Sequence, residues 1–216
     1  MKLFQLFVYF LFNLLFLACM QVNAAKLEVS VIDDKQKPVE FAVIYINETL
    51  KKSSDKSVII DQVDKEFIPY VTVVQRGSAI NFPNNDDIRH QVYSFSKTKQ
   101  FELPLYRGDP SAPVVFDKNG VVAMACNIHD WMKAYVYVVD TNRFTLSDEL
   151  GQGVLVDLAR GEYEIAVWHP KAKASEQLNI QRVNLTENSQ KLVFTVAQKK
   201  QYKAWRSPTG IKRRGY

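Results

Sequence analysis

Ala125-Cys126-Asn127-Ile128-His129-Asp130-Trp131-Met132 sets a thiol, an imidazole and a thioether at intervals of two intervening residues. One apolar run, Val121–Ala125, leads into it and another, Ala134–Val139, leaves it. Short apolar runs bounded by polar residues read as strands, so these eight residues form a loop between two strands. A second imidazole, His90, opens the run His90-Gln91-Val92-Tyr93-Ser94-Phe95 in the same strand-rich region. Thiolate and thioether are soft donors that suit Cu(I), and imidazole suits both Cu(I) and Cu(II). Two imidazoles and a thiolate in a trigonal set, with a weak axial thioether, are a compromise acceptable to both states. The spacing nominates His90, Cys126, His129 and Met132 as the ligands of one copper ion.

Outward from the loop, Ser57–Val139 is a succession of strand signals. They are Val58–Val63, Tyr70–Gln75, Ser78–Phe82, His90–Ser94, Gln100–Leu103, Val114–Phe116, Val121–Ala125 and Ala134–Val139. Turn residues separate them at Arg76-Gly77, at Pro83–Asp87, at Gly108-Asp109-Pro110 and at Asn119-Gly120. About eight strands with regular turns predict a β-sandwich or barrel, and no segment has a helical period. Before this module, Lys26–Ile32 alternates polar and apolar residues, Asp33–Pro38 is a turn, and Phe41–Ile46 is a second strand. The two are expected to form a hairpin-like unit that needs a partner sheet. Asn47–Asp55 is a polar linker. After the module, Phe144–Leu146, Val154–Leu158, Tyr163–Trp168, Gln177–Val183 and Lys191–Val196 supply five further strands. With the first two they predict a seven-stranded sandwich, interrupted after its second strand by residues 57–140. The expected division is a signal peptide at 1–24, a discontinuous sandwich at 25–50 plus 143–198, the inserted module at 57–140, and a tail at 199–216.

The chain has 216 residues, enough for one or two cored domains, with 10 Tyr and 13 Phe favouring β structure. Lys2 precedes the apolar run Leu3–Met20, and Val22 and Ala24 suit cleavage after Ala24, the pattern of a secretory signal. An uncleaved membrane anchor and lipidation at Cys19 are the competing readings. With the signal removed, Cys126 is the sole cysteine, so no internal disulfide forms. A lone thiol in an oxidising compartment is a liability unless it is buried or used, and metal ligation is one use. The tail carries Lys199, Lys200, Lys203, Arg206, Lys212, Arg213 and Arg214 with no acid. It reads as a solvated terminus, or as electrostatic attachment to anionic lipid or an acidic redox partner. Its lack of any aromatic-interleaved fold argues against specific nucleic-acid reading.

Each nominated residue has a blander role when taken singly. A lone His at a strand start is usually structural, a lone Cys a small buried hydrophobe, and a Met beside Trp131 core. They gain weight jointly, because the sole mature Cys and two of the three His fall at ligand spacing. The third, His169, closes a strand in Trp168-His169-Pro170 and is expected to be structural. Zinc is the rival metal, but its structural sites take four Cys or His ligands and Met serves it poorly. A nucleophilic Cys126–His129 pair is a further rival, though two intervening residues in a tight loop place a base awkwardly. No enzyme is expected, because a copper oxidase or reductase needs a second metal site that one spare histidine cannot build. Asn84 is expected to bond backbone near the thiolate.

The Cys126-x2-His129-x2-Met132 loop with upstream His90 resembles the cupredoxins, with the loop spacing of amicyanin. Phe67-Ile68-Pro69, Gly77 and Ile80-Asn81-Phe82-Pro83-Asn84 before His90 are similar to the plastocyanin pattern. Asp61–Phe67, Asp87-Ile88-Arg89-His90, Phe101–Tyr106 and Cys126–Met132 together resemble bacterial plastocyanin-like proteins labelled methylamine utilization proteins, over most of residues 26–170. The flanking segments resemble a carboxypeptidase-regulatory or transthyretin-like sandwich. The resemblance implies an all-β chain: a cupredoxin Greek-key β-sandwich combined with a transthyretin-like (Ig-like) one. It implies one type 1 copper on His90, Cys126, His129 and Met132, a periplasmic location, and transfer of single electrons to an unidentified redox partner. A copper carrier or sensor without redox turnover and a metal-free interaction module are the alternatives. Where amicyanin and plastocyanin carry proline beside the second ligand histidine, this chain has Ile128 and Asp130. Asp130 adds negative charge where a partner docks, and Trp131 is either docking surface or metal shield.

Overall fold

The computed structural model describes residues 24–50, 54–110, 112–173 and 178–199. The signal segment and the basic tail therefore lie outside the described residues, apart from Ala24 and Lys199. Among the described residues there is no helix, and the chain is all-β.

Three core clusters show why some apolar runs alternate and others are continuous. In β1 (Ala25–Ile32), Leu27, Val29 and Val31 are buried while the residues between them reach solvent, so one face is covered. β1 lies between β14 (Gln152–Leu158, antiparallel) and β17 (Ser189–Thr195, parallel). Facing this sheet is a second one in the order β13 (Phe144–Leu146), β2 (Val43–Ile46), β15 (Gly161–Trp168), β16 (Asn179–Leu185). Leu27, Val29 and Val31 pack with Ile44, Ile46, Ile165, Val167 and Phe194 between the two sheets.

β2 is buried along its whole length. Ile44 and Ile46 face that first core, while Val43 and Tyr45 join a different one with Ala166 and Trp168 of β15. The partners across this second core come from the five-stranded sheet β6 (Val71–Gln75), β12 (Lys133–Val139), β11 (Gly120–Ala125), β8 (His90–Ser96), β9 (Lys99–Tyr106). Val71, Tyr137 and Val139 supply the contact, with Tyr135 at its margin. Rings meet across it at tilted and edge-on angles: Tyr137 and Trp168 have centroids 4.8 Å apart, Tyr45 and Tyr137 5.6 Å, Tyr135 and Trp168 6.0 Å. β12 divides its side chains the same way, since Ala134, Val136 and Val138 point into a third core. Covering on both faces accounts for the unbroken apolar runs at 43–46, 134–139 and 165–168.

The third core lies between the five-stranded sheet and a smaller layer. That layer holds β10 (Val114–Val115), β7 (Ala79–Asn81) and β3 (Ser57–Ile59), and the hairpin of β4 (Asp61–Val63) and β5 (Glu66–Ile68). Ile60, Phe67, Ile80, Phe82, Val92, Phe116, Val122 and Met124 fill it, together with Cys126 and Met132.

Two local expectations are corrected. β1 and β2 do not pair as a hairpin: they sit in opposite sheets, and their side chains meet face to face in the core. The six residues between Ile32 and Val39 turn tightly, with Asp33 Oδ1 accepting the Lys35 and Lys37 N–H groups, and the chain then crosses over. The run Val58–Val63 is two strands. Ile60 is fully buried between them, its N–H donating to Asn81 O, where the chain leaves β7 for β5.

Candidate metal centre

His90 begins β8, and Cys126 follows the last residue of β11. The two strands are neighbours, with Ala125 opposite Tyr93, so adjacency in the sheet brings the two side chains to one end of it. The loop from Cys126 to Met132 closes on itself: Cys126 N–H donates to Met132 O at 3.1 Å, and Met132 N–H to His129 O at 2.9 Å. That fold-back turns the His129 imidazole toward the sulfur. Cys126 Sγ lies 3.7 Å from His90 Nδ1 and 3.8 Å from His129 Nδ1. All three ligand atoms fall within 4.8 Å of one another, and the two imidazole centroids are 4.9 Å apart.

These spacings can be tested against a bound ion. A first-row ion binds thiolate at about 2.3 Å and imidazole at about 2.0–2.1 Å, which in a trigonal arrangement puts sulfur and nitrogen about 3.8 Å apart. The observed 3.7 and 3.8 Å fit a single shared ion. Met132 is buried in the same core cluster as Cys126. The structure thus gathers His90, Cys126 and His129 and packs Met132 in the core beside them.

Exposure differs sharply among the donors. His90 is 0% exposed and Cys126 3%, whereas His129 is half-buried and Ile128 beside it is 50% exposed. His129 also lies against Trp131, with centroids 5.2 Å apart. Burial lowers the His129 pKa, the charges of His90 and Lys65 lower it further, and Asp86 opposes them.

Asp86 was missed in the sequence, where Pro83–Asp87 reads only as a turn. Its Oδ2 lies 2.8 Å from His90 Nε2 and accepts the Lys65 N–H at 2.7 Å. Burial pushes this carboxyl up, but the hydrogen bonds from His90 and Lys65 outweigh it and hold the pKa below the usual range. Asn84 bonds backbone groups around this loop. Its amide donates to Ile88 O and Tyr106 O, and its Oδ1 accepts the Asp86 N–H. The signal that would have found Asp86 is its position four residues before a ligand-type histidine, since such histidines commonly pair their second nitrogen with a carboxylate.

His169, directly after β15, is not part of this cluster. It is buried, its Nδ1 accepts the Lys171 N–H at 3.2 Å, and burial pulls its pKa down to about 4.

No family model matches the chain, and no curated protein does. Among solved structures it is similar to a purple cupredoxin from Nitrosopumilus maritimus, at 22% identity over 39% of this chain and 100% of that one, with TM-score 0.34. A copper-containing nitrite reductase from Thermus scotoductus SA-01 is similar at 20% identity over 52% of this chain and 28% of that one, TM-score 0.38. A reduced amicyanin variant is similar at 17% identity over 46% of this chain and 100% of that one, TM-score 0.35. Each likeness is partial, and the functional reading rests on the side chains gathered around Cys126.

Proposed function

We propose that this chain is an exported type 1 (blue) copper protein that carries single electrons between redox partners in the periplasm. The observation that carries the reading is the pair of imidazole Nδ1 atoms, one from a strand and one from a loop, converging on one buried sulfur at 3.7 and 3.8 Å. Bound copper would supply a one-electron couple between Cu(I) and Cu(II). Cys126 would provide the thiolate, His90 and His129 the two imidazoles, and Met132 a weak axial thioether. His90 and Cys126 are held by neighbouring strands of one sheet, so the donor atoms keep their places whichever charge they face. His129 carries the one solvent-facing edge among the three and would be the exit for the electron.

Burial separates this reading from its rivals. A carrier that passes its copper on needs donors an acceptor can reach, and two of the three here are closed off. Cys126, His90 and Asp86 also have the connectivity of a nucleophile, base and orienting carboxylate. A substrate has no approach to a thiol 3% exposed, and that reading leaves His129 without a role. The proposed domains are a cupredoxin unit at 57–140 and a transthyretin-like sandwich at 25–50 plus 143–198, with the basic tail as a contact for anionic lipid or an acidic partner. The test is a copper titration of the purified mature protein followed by repeated chemical oxidation and reduction. One equivalent retained through many cycles supports the electron carrier. Loss of the metal within a few cycles, or no binding, refutes it.

A further inference from the structure

Asp86 stands at the end of a chain of bonds whose geometry has one consistent reading. An ionised carboxylate only accepts hydrogen bonds, so the proton between Asp86 Oδ2 and His90 Nε2 belongs to the imidazole. That leaves Nδ1 of a neutral His90 as the bare lone pair, and Nδ1 is the atom facing Cys126 Sγ. The carboxylate is itself fixed from several sides. Lys65 N–H donates to the same Oδ2, Asp87 N–H to Oδ1 at 3.2 Å, and Asn84 Oδ1 takes the Asp86 N–H at 3.1 Å.

The Lys65 contact comes from an unusual turn. Asp64 and Lys65, between β4 and β5, have φ of 53° and 60°, the left-handed region. A two-residue hairpin turn of this hand ordinarily carries Asn or Asp followed by Gly, so Asp64 suits its place and Lys65 holds a position that favours glycine. Strain of this kind persists where surrounding contacts hold it, and here the turn delivers its N–H to a carboxylate whose side chain is only 10% exposed.

Building on the copper reading above, we propose that Asp86 is a positioning residue that donates charge through His90. It locks the Nε2–H tautomer, aims Nδ1 at the ion, and makes the imidazole a stronger donor that favours the oxidised, more highly charged state. The negative charge lies one imidazole away from the ion and is sheltered from water, so it acts on Cu(II) about twice as strongly as on Cu(I). Loss of such an outer partner typically weakens metal binding by about 10–100-fold, so the Cu(II) over Cu(I) preference should fall by about 3–10-fold. The upper end is a rise in reduction potential of about 59 mV for one electron.

Two variants separate charge from geometry. In Asp86→Asn the amide oxygen can still accept from His90 and Lys65, so the charge is lost together with only the long Asp87 N–H contact. Asp86→Ala removes both. The potential is measured on the copper-loaded proteins by spectroelectrochemistry, and the His90 tautomer by nitrogen NMR on the copper-free, reduced proteins. The proposal expects an Nε2–H tautomer in the wild type and in Asp86→Asn, a mixed tautomer in Asp86→Ala, and a raised potential in both variants. A wild-type Nδ1–H tautomer, or an unchanged potential in Asp86→Asn, overturns it. A wild type that takes up no copper overturns the functional reading first, and is recognised without either variant.

Discussion

Trp168→Ala should cost the fold more than any other single truncation at the contact between the β13-β2-β15-β16 sheet and the five-stranded sheet. Trp168 is 3% exposed and lies 4.8 Å from Tyr137 and 6.0 Å from Tyr135, ring to ring. Removing a buried indole loses its transfer free energy and leaves a cavity, about 3–5 kcal/mol together. The site borders a cleft of about 790 Å³ also lined by Tyr45, Tyr135 and Tyr137, which lets water and side chains relax into the space. The lower end, about 3 kcal/mol, is therefore expected. For a chain of this size each kcal/mol lowers the midpoint by about 2–4 °C, so the thermal midpoint should fall by about 6–12 °C. Far-ultraviolet circular dichroism on heating reads this, with Val156→Ala, on a 57% exposed side chain, as the control expected to move it by about 2 °C or less. If Trp168→Ala shifts the midpoint no more than Val156→Ala, the aromatic contact is not a packed core and the account of the two-sided strands fails.

Gly151→Ala should also destabilise, because φ is +72° and a Cβ there would meet Val31 O at 2.4 Å. A loss of more than about 2 kcal/mol in urea unfolding is expected, and a neutral result would contradict the turn geometry. His169 sets a pH dependence. Its pKa is about 4 in the folded protein against 6.5 ordinarily, so protonation favours the unfolded chain. The stability held by the neutral ring is complete above the unfolded value and is lost as pH falls through the window between the two. The loss amounts to at most about 3 kcal/mol. Denaturation at stepped pH should show a steeper acid loss in the wild type than in His169→Gln, and parallel curves would refute the assignment.

The sequence carried the strands well where one face is wet. Alternation in Lys26–Ile32 and the turn residues around Ser57–Val139 mark strands that the structure contains. It was silent about partners. Nothing in Phe41–Ile46 distinguishes a hairpin partner of β1 from a strand in the facing sheet, because both arrangements bury the same side chains. A run such as Val58–Val63 hides its break, since Ile60 is as apolar as its neighbours. At the site, Cys126, His129 and His90 were legible because sulfur and imidazole are scarce in this chain. Asp86 was not, because a carboxylate in a polar turn looks the same whether it caps the turn or holds a histidine. The Asp64-Lys65 turn was equally hidden, since Lys65 stands where the glycine that would announce a left-handed turn after Asp is expected.

The most direct test of the central claim is the visible and electron paramagnetic resonance spectrum of the mature protein after adding Cu(II), with Cys126→Ser alongside. The account predicts an intense blue thiolate-to-copper band with narrow hyperfine splitting in the wild type, and neither feature in the variant. A colourless wild type, or a spectrum indifferent to Cys126, would contradict it.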